Sequence, residues 1–96
     1  LRLKADVRLS EGDAPTAERL LLAAKLVNPR EEPTLARLAV IRHLTRKPEQ
    51  FAAIVKEVEG FCTKPGIFYH ELAEVLASRK QYAKAEECFR KAIELR

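Results

Sequence analysis

The chain has 96 residues, of which 47% are hydrophobic and 33% charged, and its net charge is +4. A chain of this length forms one small domain, and this composition is ordinary for a globular helical protein. No apolar run approaches the roughly 20 residues of a membrane span, and the three glycines form no phosphate-binding loop. We therefore expect one domain, residues 1–96, with no cofactor and no membrane contact.

The first stretch, residues 1–31, has the pattern of two amphipathic helices. Gly12 ends the front helix, Asp13 can cap the next helix and Pro15 fits its first turn. Asn28 and Pro29 end the back helix, because proline disfavours helix at the preceding residue. The residues expected to face inward are Leu1, Ala5, Val7 and Leu9, then Ala17, Leu20, Leu21, Ala24 and Val27.

The second stretch, residues 32–65, repeats this arrangement with a turn at Arg46–Pro48. Phe51 stands where a small residue would let two helices approach, so we expect this helix pair to be the least regular. Gly60 or Phe61 ends the back helix, and Thr63 is the expected cap before the next one. The inward residues are Leu35, Leu38, Ala39 and Ile41, then Phe51, Ile54, Val55 and Val58.

The third stretch, residues 66–96, has two amphipathic helices that break at Ser78–Gln81. Small residues alternate with large ones, which lets two helices pack closely. The inward residues are Tyr69, Leu72, Ala73 and Leu76, then Tyr82, Ala85, Cys88, Phe89 and Ala92.

The three stretches share one register with a period of 34 residues and no insertion. Ala73 corresponds to Ala39 and Ala5, and other apolar positions follow the same step. They include Phe89 with Val55 and Leu21, and Ala92 with Val58 and Ala24. A fixed period indicates a repeat protein more strongly than any single motif does.

These stretches resemble tetratricopeptide repeats, whose pattern is W-x2-L-G-x2-Y, then A-x3-F, then a proline. In the third stretch the columns hold Tyr69, Leu72, Ala73 and Leu76, then Ala85 and Phe89. The departures are Tyr for Trp, Ala for Gly and Leu for Tyr. The resemblance implies an all-α fold, an α-solenoid of three helix-turn-helix repeats whose six antiparallel helices wind into a right-handed superhelix. The repeats would be residues 1–31, 32–65 and 66–96.

The resemblance also implies a non-catalytic scaffold that binds a peptide or a partner helix in a concave groove lined by the front helices. Val40 and Leu44 are the expected apolar anchors of this groove, although packing against neighbouring front helices is an equal alternative for them. The partner-binding positions carried over are Arg2, Asp6, Ala36, Val40, His43, Leu44, Ile67, His70 and Glu74.

Two kinds of partner are disfavoured by the charges and aromatic residues. A clamp for a terminal carboxylate would meet Asp6 and Glu71, whose charges repel it. Arg46 and Lys80 share a column and would form a basic rim, but cations also complement helix C-termini. Aromatic residues are only 6% of the chain and fall mostly at core positions, which argues against a nucleic-acid surface.

No catalytic or metal-binding group of residues is evident, so we do not expect an enzyme. His43 and His70 are the only histidines, and neither has further ligands at zinc-site spacing. We expect both to lie on a solvated or partner-facing surface. A regulatory segment of a larger enzyme, with its chemistry outside these residues, stays open as a further hypothesis.

The last helix leaves an apolar face of Cys88, Phe89 and Ile93, whereas repeat arrays need polar end caps. We therefore expect the chain to be a piece of a longer protein. The alternative to a groove-binding scaffold is a structural spacer or a self-association module, in which this end helix pairs with a second copy.

The two cysteines, Cys62 and Cys88, are too few for a disulfide framework. Cys88 falls on an inward helix face, where a thiol acts as a small hydrophobe, and Cys62 falls in a loop. A disulfide between them is an alternative that the fold does not need. Free thiols fit a reducing compartment, so we expect a cytoplasmic protein.

Overall fold

The computed structural model describes the backbone of residues 2–95 and the side chains of residues 4–95, and this part of the chain is all-helical. The predicted all-α class with six helices is therefore confirmed for the described residues. The helices are α1 (Arg2–Ser10), α2 (Ala14–Val27), α3 (Glu32–Leu44), α4 (Pro48–Phe61), α5 (Gly66–Ser78) and α6 (Tyr82–Glu94). None of these helices has the length and apolar character that a membrane crossing requires.

The 34-residue period of the sequence is visible in the backbone. Helices α2, α4 and α6 begin at residues 14, 48 and 82, a constant step of 34 (48 − 14 and 82 − 48). The turn before each of them contains one residue in the left-handed region: Gly12 (φ 83°), Arg46 (φ 58°) and Lys80 (φ 64°). The three turns therefore share one conformation, although glycine occupies only the first.

One hydrogen bond recurs in these turns and explains their shared shape. In each turn, the backbone N–H of the residue after the left-handed position donates to a carbonyl five residues earlier, which is a Schellman bond. The bonds are Asp13 to Arg8 (2.8 Å), Lys47 to Arg42 (2.9 Å) and Gln81 to Leu76 (2.9 Å). A non-glycine residue in this conformation costs roughly 1–2 kcal/mol, a cost that Gly12 avoids.

Two predicted helix caps had different outcomes. The carboxylate of Asp13 accepts a hydrogen bond from the Thr16 backbone N–H at 3.2 Å, as predicted. Hydrogen bonds from Thr16 also hold the pKa of Asp13 below its ordinary value. The prediction of Thr63 as a cap is wrong, because Pro65 precedes α5 and offers no side-chain cap. Instead, Glu32 at the start of α3 accepts the Phe68 backbone N–H at 3.2 Å.

Helix α3 lies at the centre of the molecule, in contact with α2, α4 and α5. Phe51 at the start of α4 lies edge-on to His43, with ring centroids 6.1 Å apart, and Lys84 Nζ lies 4.9 Å from its ring centroid. Helices α3 and α4 pack less extensively than the other two hairpins, as the bulk of Phe51 predicts. The largest fully buried side chains are Phe68, Leu21, Leu35, Leu38, Ile41, Leu72, Leu76, Val40, Val58 and Thr34.

Three residues predicted to face inward are instead exposed: Val7 (55%), Val27 (82%) and Tyr82 (65%). Val27 is the last residue of α2 and Tyr82 the first of α6, so both lie at helix ends. Val7 lies on the outer side of the α1–α2 pair, which no other described helix covers. The prediction for Leu1 falls outside the described residues.

Candidate functional site

Of the two predicted apolar anchors of the concave groove, Val40 is not accessible to a partner and Leu44 is only partly accessible. Val40 and Ala36 are both 0% exposed, so the prediction that they contact a partner is wrong for the folded chain. The physical reason is the central position of α3, whose inner face is covered by its neighbours. Leu44 is half-buried against the core, and His43 is half-buried beside Phe51. The side chain of Arg2 lies outside the described residues.

The concave face carries a row of ion pairs that joins three front helices. Arg37 of α3 donates through Nε to Asp6 Oδ1 of α1 at 2.6 Å and through Nη1 to Glu71 Oε2 of α5 at 3.2 Å. We call Asp6, Arg37 and Glu71 the charge ladder. The Arg37 side chain is only 13% exposed and already holds two carboxylates, so it offers no free cation to an anionic ligand.

A shallow concave groove of about 370 Å³ lies beside the charge ladder. Its two apolar side chains are little exposed, since Leu9 is 5% exposed and Val75 is half-buried. Glu74, a predicted site residue, lines this groove and also contacts His70, with Oε1 and Nε2 3.3 Å apart. The groove therefore offers charges but no exposed hydrophobic anchor.

A larger cleft opens between α5 and α6 on the side facing away from α3, and we call it the α5–α6 cleft. Its volume is about 630 Å³. Ile67 (62% exposed) and Ile93 (64% exposed) stand on its two walls. The lining residues are Lys64, Gly66, Ile67, His70, Glu71, Phe89, Ala92, Ile93 and Leu95.

Helical spacing explains how this cleft forms. Ala85, Cys88 and Ala92 turn one face of α6 against α5, where they are buried. Phe89 and Ile93, four residues apart, then share the adjacent stripe along the cleft. The His70 ring lies edge-on to Phe89, with centroids 6.0 Å apart. Two predicted site residues, Ile67 and His70, therefore line one cleft with Phe89 and Ile93, which were predicted as part of a self-association face, Phe89 also as an inward residue.

The equivalent cleft one repeat earlier lies between α3 and α4, and there α5 packs against α3. Ala36 and Val58, the counterparts of His70 and Ala92, are both 0% exposed. The open cleft has the smaller residue at two positions, Ala92 for Val58 and Leu95 for Phe61, and the larger or more apolar residue at three others. Ile67, Phe89 and Ile93 replace Pro33, Val55 and Glu59 respectively.

A third, smaller cleft of about 270 Å³ lies between α4 and α6, lined in part by Phe51, Tyr69 and Cys88. Burial raises the pKa of the Cys88 thiol to about 11 and also raises that of the Tyr69 hydroxyl. Both groups are therefore neutral near pH 7, and Cys88 is not an activated nucleophile. Cys62 and Cys88 are both free.

The described side chains, residues 4–95, contain no cluster of three or more His, Cys, Asp or Glu residues placed to hold a metal ion. The isolated contact between His70 and Glu74 is on the surface, with both side chains more than half exposed. This pair has no buried environment that would exclude water.

The sequence contained a signal for the charge ladder that its apolar pattern did not use. Arg37 and Glu71 are one period apart and have opposite charges, and stacked repeats bring such positions together. Comparison of the chain with known protein families and with curated protein sequences finds no match in either.

Proposed function

We propose that the chain is a non-catalytic protein-interaction module of the tetratricopeptide-repeat type, whose three hairpins stack as a right-handed solenoid. The binding surface is the α5–α6 cleft rather than the concave groove, and the ligand is an amphipathic helix. The observation that carries this proposal is the contrast between two equivalent clefts. The lining of the cleft between α3 and α4 is buried, with α5 packed against α3, whereas the α5–α6 cleft is open and exposes Ile67 and Ile93.

Single exposed hydrophobic residues are ordinary on protein surfaces, but contiguous ones mark interaction sites. Ile67 and Ile93 are each more than half exposed, and half-buried Phe89 lines the same cleft. Complete burial of one isoleucine side chain contributes about 1.5–3 kcal/mol. A helix that covers both isoleucines therefore gains enough free energy to offset part of the cost of association.

The repeat architecture supports a binding role because packed helices form clefts that can accept a further helix. The constant 34-residue step and the three identical turns support the assignment to this class of repeat. Binding by burial of apolar surface requires no catalytic group.

The proposal is tested by affinity capture with the double variant Ile67→Glu, Ile93→Glu. A matched control is Leu26→Glu, Val27→Glu, since these residues are 86% and 82% exposed at the end of α2. Neither variant alters the core, and circular dichroism should show native helicity for both. We expect a partner that the wild type and the control capture, that the cleft variant loses, and that rebinds in purified form. Equal capture by all three chains contradicts the proposal.

A structural or self-association module is a second candidate, because Phe89 and Ile93 also offer an apolar face to a second copy. Cys88 does not belong to that face, since it is 4% exposed and packs against α5. Sedimentation equilibrium distinguishes the two functions. A mass that rises with concentration and falls back with Ile93→Glu favours self-association, and a constant monomer mass favours a separate partner.

A further inference from the structure

The three hairpin turns have one backbone conformation but different charges. Residues 11–13, 45–47 and 79–81 are equivalent, one period apart, and each turn joins the two helices of a hairpin. The first turn, Glu-Gly-Asp, has a charge of −2, whereas Thr-Arg-Lys and Arg-Lys-Gln in the other two each have +2. The shared conformation therefore does not require cations. We call Arg46, Lys47, Arg79 and Lys80 the basic edge, which includes the rim predicted from the sequence.

Contacts between neighbouring hairpins place the second and third turns side by side. Helices α3 and α5 pack together, and two helical turns before the basic edge Arg37 Nη1 lies 3.2 Å from Glu71 Oε2. Just after the turns, Lys84 Nζ lies 4.9 Å from the centroid of the Phe51 ring. Both contacts join positions about one period apart. The two turns between them therefore lie about 10 Å apart, the usual spacing of packed helices.

The four cations of the basic edge have no anionic partner in the described part of the chain. Three of them are exposed and one is half-buried, and none forms an ion pair with a described carboxylate. Neighbouring cations are engaged instead. Arg42 pairs with Glu18 at 2.8 Å, and Lys84 contacts Glu87 at 3.5 Å. The charge of the basic edge is therefore available to a ligand.

The nearby carboxylates neutralise little of this charge. Glu49 is the acid in the first turn of α4, and the first turn of α6 has none. Glu74 shares the concave groove with Arg79 but contacts His70, at 3.3 Å. With Glu49 set against the four cations, the edge still has a net charge of +3.

Two of the four cations adopt a costly backbone conformation. Arg46 (φ 58°) and Lys80 (φ 64°) lie in the left-handed region, at the position that Gly12 occupies in the first turn. A cation near a helix C-terminus gains less free energy than a non-glycine residue loses in this region. The helix ends therefore do not account for these two side chains, and strained residues of this kind cluster at functional sites.

The surroundings of the basic edge favour a peptide over a nucleic acid or a membrane. Tyr82 is 65% exposed, and no other described tyrosine or phenylalanine is exposed. Single-stranded nucleic acids bind along several stacked rings, which one tyrosine does not supply. Tyr82 is also the one exposed large hydrophobic residue within residues 45–50 and 79–83, whereas binding in a membrane interface needs an apolar face.

A second copy of the chain is a poor ligand for the basic edge. Its acidic first turn is already engaged, since Glu11 pairs with Arg8 at 3.1 Å and Asp13 accepts the Thr16 backbone N–H. Elsewhere the sequence has no run of more than two acidic residues. The chain itself therefore does not offer free carboxylates spaced for both turns.

We infer that the basic edge binds an acidic peptide in extended form. An extended chain advances by about 3.3 Å per residue, so three residues span the two turns. One pair of acids contacts Arg46 and Lys47, and a second pair, three residues further along, contacts Arg79 and Lys80. The two arginines can each hold a carboxylate through two parallel hydrogen bonds. This site shares no residue with the α5–α6 cleft.

The probe is a fluorescent peptide that contains Glu-Glu-Ser-Glu-Glu, and its anisotropy is measured with the full 96-residue chain. A spacing control has the same composition, with a longer serine spacer between its two acidic pairs. The edge variant is Arg46→Gly, Lys80→Gly, which removes two charges and relieves the strained backbone, so it should melt no lower than the wild type. The matched control Lys64→Gln, Lys91→Gln removes two exposed cations far from the edge.

We expect the wild type to bind the probe with an affinity that falls as the salt concentration rises. The edge variant should bind about tenfold more weakly, and the matched control should stay within about twofold of the wild type. Equal losses in the two variants would show a response to net charge alone and overturn the inference. A wild type that does not bind the probe, or that binds the spacing control equally well, overturns it too.

The same variants test the other ligands. Tighter binding of a single-stranded oligonucleotide or of anionic lipid vesicles than of the probe, lost in the edge variant, overturns the choice of a peptide. A mass that rises with concentration in the wild type but not in the edge variant shows that a second copy occupies the edge, and also overturns it. The cleft variant Ile67→Glu, Ile93→Glu should still bind the probe, so either proposal can fail without the other.

Discussion

The α3–α4 cleft and the α5–α6 cleft are the same structural feature in two states. In the first, Ala36 and Val58 are both 0% exposed, and α5 packs against α3. In the second, nothing among the described residues covers Ile67 and Ile93, although these side chains are larger and more apolar than their counterparts Pro33 and Glu59. A repeat that ended in solvent would be expected to show polar residues there. The difference supports the proposal that the open cleft receives a helix.

The largest difference in folding stability is expected between a charge introduced at a buried core site and a charge introduced in the open α5–α6 cleft. Val40→Glu puts a carboxylate at a 0% exposed site, and we expect it to abolish cooperative folding. Ile67→Glu, at a 62% exposed site, should change the free energy of unfolding by less than about 0.5 kcal/mol. Urea denaturation followed by circular dichroism measures both. Similar losses for the two variants would mean that the two surfaces do not differ.

The next largest difference in stability is expected between alanine substitutions of two phenylalanines. Phe68→Ala removes a ring that is 0% exposed in the filled cleft, which should cost about 3–5 kcal/mol. Phe89→Ala removes a half-buried ring that lines the open cleft, which should cost less than half as much. The same urea titrations test this ranking. A larger loss for Phe89 would show that the open cleft already contributes as much packing as the filled one.

Loss of the charge ladder should lower the free energy of unfolding more than loss of an exposed ion pair. Arg37→Ala leaves Asp6 and Glu71 facing each other without their shared cation, and we expect a loss of about 1–3 kcal/mol. Arg90→Ala removes an exposed pair with Glu86 and should cost less than about 0.5 kcal/mol. Thermal unfolding at low and high salt compares them. Equal losses in the two variants would show that the ladder does not bind the repeats together.

Substitutions in the three equivalent turns should change the stability by a smaller amount. Arg46→Gly and Lys80→Gly relieve a left-handed non-glycine residue, so each should stabilise the chain by up to about 1 kcal/mol. Gly12→Ala should destabilise it, since its φ is 83°. Differential scanning calorimetry detects both directions. A destabilising effect of Lys80→Gly would mean that the Lys80 side chain stabilises the fold more than its conformation costs.

The smallest expected change in stability comes from Cys88, on the inner face of α6, at alkaline pH. Burial raises the pKa of Cys88 from 9.0 to about 11, so the folded chain holds this proton more tightly than the unfolded chain. The corresponding stability is present below pH 9 and is lost as the pH rises toward 11. Cys88→Ala should therefore show a shallower fall in melting temperature over this interval than the wild type. An identical fall in melting temperature in both chains would show that Cys88 is not buried between α6 and α5.

The helices and turns could be predicted because their signals are local. Gly12 and Pro48 mark helix boundaries through backbone preferences, and Asp13 does so through a local side-chain cap. The apolar period placed the core residues Leu72 and Ala73 correctly. Thr63 failed as a cap because the group that satisfies the start of α5 is Glu32, more than thirty residues earlier. No local signal identifies such a partner.

The accessibility of the site could not be read from one helix at a time. Val40 lies on a face that an isolated α3 would expose, and only the packing of neighbouring helices along α3 buries it. The open cleft could be partly predicted, because Phe89 and Ile93 form an unpartnered apolar stripe in the sequence. This stripe lines one cleft with Ile67 and His70 only because of how α6 packs against α5. The sequence pattern does not specify that packing.

The most direct test of the account uses the four isoleucines as internal reporters. Ile67 and Ile93 line the open cleft, whereas Ile41 (0% exposed) and Ile54 (8% exposed) are buried elsewhere. With their δ1 methyl groups labelled, an NMR titration with a helical stapled peptide of the α5 sequence, residues 66–78, follows all four sites at once. The account predicts saturable shifts at Ile67 and Ile93, with Ile41 and Ile54 nearly unchanged. Shifts that leave Ile67 and Ile93 unaffected would contradict the claim that this cleft is the binding surface.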